Sequence, residues 1–273
     1  MTTTIDTARP LPSATGTGVR PAHLSFSRLV RSETLKLLTL RSTWWSLGVT
    51  AALAVGLAIL IAAASSSFGG GMNAVTTIVA PTQFTMLVAG ILGAMAITGE
   101  YSTGMIRSTL TAEPRRGAVL LAKAVVVSLV LAVLTIATIL VASVAVLPII
   151  GADAFAVDDA AAFWWPLALS VVSMVTFGLL GLGWGFLIRN GAGAIAATVG
   201  ILFVLPIVVS LFMIGGESWQ WLVDLGRWLP SNASALVTTD TGSDDFVPSL
   251  VAMLAWPAVA LLAGWTVLRS RDA

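Results

Sequence analysis

GEYSTGMIRSTLTAEPRRGAVLLAK, residues 99–123, is a long polar interruption between two strongly apolar segments, and its reading decides the fold. The runs on either side extend for about 20 apolar residues, enough to cross a hydrocarbon core of about 30 Å as helices. Strands of a membrane barrel would alternate in segments of about ten residues, and these runs do not. The same pattern recurs along all 273 residues, which are 57% hydrophobic and 10% charged with a mean hydropathy of +0.96. Soluble domains are about 45–50% apolar and about 25% charged, so a globule has no way to cover this much apolar surface. The expected fold is an all-α membrane protein.

Working outward toward the N-terminus, the second span is expected at about 78–97, with Pro81 and Gln83 near its start and Gly90 and Gly93 further along. The flexible loop SSSFGGGMNA precedes it. The first span, about 44–64, opens on Trp44 and Trp45, whose amphipathic indoles favour the interface. Before it, residues 25–41 place Phe26, Leu29, Val30, Leu37 and Leu40 on one helical face, with Arg28, Arg31 and Ser32 largely opposite, as in a helix lying along a membrane surface. Glu33 falls near the apolar face, a costly place unless it is paired, and Lys36 is three residues on. Residues 1–24, rich in Thr, Pro, Ala and Gly, read as a disordered tail rather than a cleaved signal.

Toward the C-terminus, spans are expected at about 124–147, 166–188, 192–214 and 249–268. The fourth holds Gly178, Gly181, Gly183 and Gly185, a small-residue stripe suited to close helix packing, within one subunit before any role between subunits. An acidic loop with Asp153, Asp158 and Asp159 precedes it and ends on Trp164 and Trp165. The segment 215–248 is too polar to cross, yet it carries Trp219, Trp221 and Trp228. It reads as an outer interfacial or re-entrant piece, partly helical before Pro230. Asn232, Ala233 and Ser234 match a glycosylation acceptor, a short pattern of little weight.

Six spans put both ends on one side, and the basic residues choose it. With the N-terminal region, residues 99–123, the turn at Arg189 and the tail 269–273 in the cytoplasm, 13 of 14 Lys and Arg are inside and only Arg227 is outside. Eight acids fall outside, from Asp153 to Asp245.

Several chemistries are excluded. There is no cysteine, so no disulfide, thiol nucleophile or cysteine metal site. The one histidine, His23, lies in the polar N-terminal region and has no catalytic or metal-binding constellation around it. No acid or base occupies the middle of a span as drawn, which argues against an ion-coupled carrier. The nearest approach to a phosphate loop, from Gly117 to Ala124 through Lys123, lacks the second glycine and the hydroxyl that would hold magnesium. Active transport would draw its energy from another polypeptide.

Within residues 99–123, Glu100 ends the second span, Tyr101, Met105, Ile106 and Leu110 share one half of a short helix with Arg107 opposite, and Pro114 introduces the next helix. Glu33 to Lys36 and Arg41-Ser42 before the first span, Gly99 to Gly104 with Ile106 to Thr109 after the second, and Pro114 to Arg116 with Lys123 before the third resemble the permease subunits of bacterial ABC-2 type transporters. The resemblance covers essentially the whole chain, and the Glu-Tyr-Ser-Thr-Gly run is its most specific part. It implies a bacterial cytoplasmic-membrane protein that pairs with a second permease subunit, identical or not, and binds two ATPase subunits carrying ATP and magnesium. Contact would run through the surface helix and the loop between spans two and three. Carried onto this chain, Glu100, Arg107, Arg115 and Arg116 become coupling candidates, supported by Glu33 and Lys36. The plainer role for the arginines is contact with anionic lipid, worth about 1 kcal/mol each. No cofactor is expected in the chain itself, nor a metal, nor a nucleic-acid partner. Weakly polar spans, with Thr135, Thr138, Ser173, Thr176 and Ser210, suit an amphipathic or lipid-like cargo of unknown identity. A membrane scaffold that binds a cytoplasmic protein without transport is the alternative, and a passive channel ranks third, for want of a charged filter.

Overall fold

A computed structural model describes residues 25–67 and 73–270. The expected tail 1–24, His23, the centre of the first loop and the last three residues lie outside them. The described residues form helices and no strands. In chain order the helices are α1 (Phe26–Thr39), α2 (Arg41–Ser67), α3 (Ala74–Val79), α4 (Thr82–Thr103), α5 (Met105–Ala112), α6 (Arg116–Ile150), α7 (Trp165–Ile188), α8 (Gly191–Val199), α9 (Leu205–Leu211), α10 (Gln220–Gly226), α11 (Pro230–Thr239) and α12 (Phe246–Ser270). Among the described residues, six helical stretches are long and apolar enough to cross a membrane: Arg41–Ser67, Ala74–Thr103, Arg116–Ile150, Ala160–Ile188, Gly191–Gly215 and Phe246–Ser270.

Each stretch outruns the span expected from hydropathy, because a helix continues past its last apolar residue until something stops it. Ser25 caps the start of α1 by accepting from the Arg28 amide. A single extended residue, Leu40, separates α1 from α2, so α1 ends at Thr39 and Arg41 belongs to the first apolar stretch. Gly104 takes φ +72°, a left-handed turn that only glycine adopts freely, and there α4 gives way to α5. Prolines mark the irregularities: Pro81 stands between α3 and α4, and Pro206 follows a π-helical turn at Gly200–Val204.

Two stretches form the centre. Of an 18-residue apolar window in each stretch, 61% is buried in Ala160–Ile188 and 56% in Ala74–Thr103, against 17% to 28% in the other four. The centre is built on missing side chains. A Cβ on Gly181 of α7 would overlap the Gly90 carbonyl of α4, one on Gly93 would overlap that of Gly178, and one on Gly185 would come within 2.5 Å of Ile97 Cγ2. On another side of α7, a Cβ on Gly183 would lie 2.6 Å from the Cβ of Ala260 in α12. Gly178, Gly181 and Gly185 therefore stand where backbones and side chains of neighbouring helices approach closely within this chain. Phe177, Leu180, Leu131 and Leu202 fill the core beside this contact.

The ends of the bundle differ. At one end Asp159 caps the helical turn leading into α7. Here Val75, Ile78, Ala142, Val146, Phe163 and Leu167 form a separate apolar cluster. The polar segment after the fifth stretch folds as α10 and α11. Helix does not end for good before Pro230; it resumes there, since proline suits a first helical position. Ala233 and Val237 of α11 are buried, and the indole of Trp256 in α12 donates to the Trp228 carbonyl at 2.9 Å. Asn232, in the glycosylation pattern, donates to the Gly226 carbonyl at 2.8 Å. At the other end, the basic end, α1, α5, the α7–α8 turn and the C-terminus of α12 meet.

Candidate functional site

The basic end holds a knot of four charges drawn from three helices. Glu33 and Lys36 lie one turn apart on α1, Glu100 lies on the last turn of α4, and Lys123 lies two turns into α6. Apolar packing of Leu29 against Val119 and Ala122 seats α1 on α6 and turns Glu33 inward. Lys123 then donates to Glu33 Oε2 at 2.5 Å, to Glu100 Oε1 at 2.7 Å and to the Ala96 carbonyl at 3.4 Å. Lys36 donates to Glu33 Oε1 at 2.7 Å, to Glu100 Oε1 at 3.0 Å and to Thr109 Oγ1 of α5 at 3.3 Å.

The side chains of Glu33, Glu100 and Lys123 are 3%, 4% and 3% exposed, that of Lys36 28%. Two carboxylates and two ammoniums sum to zero, which is the condition for keeping charges out of water at tolerable cost. Burial alone would lower the pKa of Lys36, but its hydrogen bonds and Coulomb attraction to Glu33 and Glu100 outweigh that and raise it above the ordinary 10.5. The knot is a tie, with no nucleophile beside a base. It joins α1 and α5 to α4 and α6.

Of the expected site residues, Glu33, Lys36 and Glu100 thus come together. The arginines do not join them. Arg107 and Arg115 are exposed, and the Arg115 backbone amide donates to the buried Glu113. Arg116 reaches the end of α12, donating to the Leu268 carbonyl at 2.6 Å and to that of Arg269 at 3.3 Å. Arg189 ends α7 at φ +58°, donates to the Val267 carbonyl at 2.9 Å and lies 5.4 Å from the centre of the Tyr101 ring. Two arginines therefore hold the C-terminal carbonyls of α12, where positive charge complements the helix dipole.

Two further residues belong to this end of the molecule. The hydropathy pattern puts Lys123 just outside the expected third span, whereas it is buried within α6. Its signal was a lysine flanked by apolar residues on both sides, from Val119 to Ala122 and from Ala124 to Val127, an expensive position that calls for a named partner. Arg189, a topological charge in the sequence, is the other. Among the described residues, no group of His, Cys, Asp and Glu is placed to hold a metal ion. No family model matches the chain, and no curated protein matches it.

Proposed function

We propose that this chain is the membrane-spanning subunit of a bacterial ABC-2 type exporter, working as a dimer in the cytoplasmic membrane with the basic end and both termini in the cytoplasm. The observation that carries the reading is the charge knot: a displacement of α1 reaches α4 and α6 through ion pairs, and one of α5 reaches the same knot through the Lys36–Thr109 hydrogen bond. On this reading two separate ATPase subunits, holding ATP and magnesium, bind the surface formed by α1 and α5, with exposed Arg107 and Arg115 facing them. The α1 helix lies along the inner interface and α10–α11 in the outer one. The cargo is an amphipathic or lipid-like molecule.

The test is co-purification with the ATPase encoded beside this chain, followed by flux measurements in vesicles containing both. ATP-dependent movement of a solute supports the exporter. Stable association without flux of any tested amphiphile favours the scaffold alternative. Normal association and transport in Glu100→Ala and Arg107→Ala would remove these residues from the coupling assignment.

A further inference from the structure

Beside the knot, between α1, the start of α2, α4, α5 and α6, lies a cavity of about 500 Å³. This falls within the range of about 300–1,000 Å³ usual for small-molecule sites. Leu37, Leu92, Met95 and Val126 make much of its wall apolar, while Glu33, Lys36, Glu100 and Lys123 line its charged side.

Hydrogen-bond accounting decides which head group the charged side can take. An ammonium has three donors and no acceptor. Lys36 spends its three on Glu33, Glu100 and Thr109, and Lys123 spends its three on Glu33, Glu100 and Ala96. The hydroxyls of Ser102 and Thr103, also in the lining, both donate to the Gly99 carbonyl. An anionic head group beside the lysines would find these donors taken, leaving it only the Ser42, Thr43 and Ser46 hydroxyls that α2 contributes to the lining. The carboxylates have capacity to spare: Glu100 Oε1 accepts from both lysines, while Glu100 Oε2 is buried with no partner. A carboxylate oxygen left short of a donor is costly in low dielectric, so Glu100 is the group on this wall that a donor would satisfy.

We infer that this cavity binds a single-chain amphiphile bearing a primary ammonium, its chain along Leu92, Met95 and Val126 and its head group donating to Glu100. The charge-assisted bond to a carboxylate is about twice as strong as a neutral one, which favours the ammonium over an alcohol. Binding here stands apart from transport, and it is tested on the isolated chain.

The experiment uses the full chain in phosphatidylcholine nanodiscs and a dodecylamine carrying a mid-chain diazirine. Cross-linked peptides are mapped by mass spectrometry, with unlabelled dodecylamine and dodecyl sulfate as competitors. Labelling concentrates on α4 and the start of α2, and dodecylamine displaces it at concentrations about tenfold below those of dodecyl sulfate, a difference of about 1.4 kcal/mol. Gly99→Leu adds bulk on the cavity wall, at a position where a Cβ meets nothing within 4 Å, and it abolishes the labelling. Gly56→Leu, in equally open space on α2, leaves it intact. Glu100→Gln reduces it if the variant folds, and the Gly99 variant decides the matter if it does not. Equal competition by dodecyl sulfate, labelling spread over all lipid-facing helices, or labelling unchanged in Gly99→Leu would overturn the proposal.

Discussion

The ammonium of Lys123 in α6 lies 2.7 Å from Glu100 Oε1 in α4, with both side chains almost wholly covered. Each charge is tolerable only because the other is there. Lys123→Met therefore leaves two carboxylates with the one remaining lysine, and removing one partner of a buried pair costs about 3–5 kcal/mol. Thermal unfolding of the purified chain will show a large loss. Restoring charge balance with Glu100→Gln in the same chain recovers part of it, and two losses that simply add would show that the residues are not coupled.

Lys36 sets a limit in pH. Its folded pKa is raised above the ordinary 10.5, so its stabilising contribution is fully present below that value and is lost as pH rises through the folded value. Docking of α1 against α5 stays constant through neutral and mildly alkaline pH and loosens only in strong alkali. The chain lacks cysteine, so nitroxides on Ser32→Cys and Thr111→Cys report the distance directly. A transition near pH 7 would contradict the assignment of Lys36.

The α4–α7 contact allows almost no added volume. Gly181→Ala pushes a methyl into the Gly90 carbonyl and destabilises by about 1–3 kcal/mol or more, because overpacking forces the backbones apart. Gly56→Ala meets nothing within 4 Å, and its higher helix propensity makes it neutral or stabilising by up to about 1 kcal/mol. Monodispersity and melting temperature of the two variants, compared side by side, check the difference.

Arg107 and Arg116 separate attachment from structure. Arg107 is exposed, so Arg107→Ala leaves stability within about 0.5 kcal/mol of the parent and, on the proposed function, weakens recovery of the ATPase. Arg116→Ala releases carbonyls at the end of α12, at a cost of about 1.5–3 kcal/mol for hydrogen bonds from a charged group. Hydrogen exchange at the last turn of α12 should rise in the second variant alone.

The helical spans were legible because hydropathy is local: a run such as 124–147 requires a helix in hydrocarbon wherever its neighbours are. The pairing of Glu33 with Lys36 was legible for a similar reason, since three residues along a helix bring side chains together. Helix ends were less so. Polar residues such as Arg116 and Glu100 lengthen a helix beyond its apolar core, and the stop falls at a cap or at a residue such as Gly104 whose conformation hydropathy does not register.

By itself, the sequence determined that the chain is helical, that six stretches can cross a membrane, and that Glu33 needed a partner. Only the tertiary structure decided that the partners include Lys123, 90 residues away, and that Gly181 answers Gly90. The physical reason is range. Helix formation and hydropathy depend on neighbours within a turn or two, whereas the cost of a buried charge or an added Cβ depends on what another helix brings to that point.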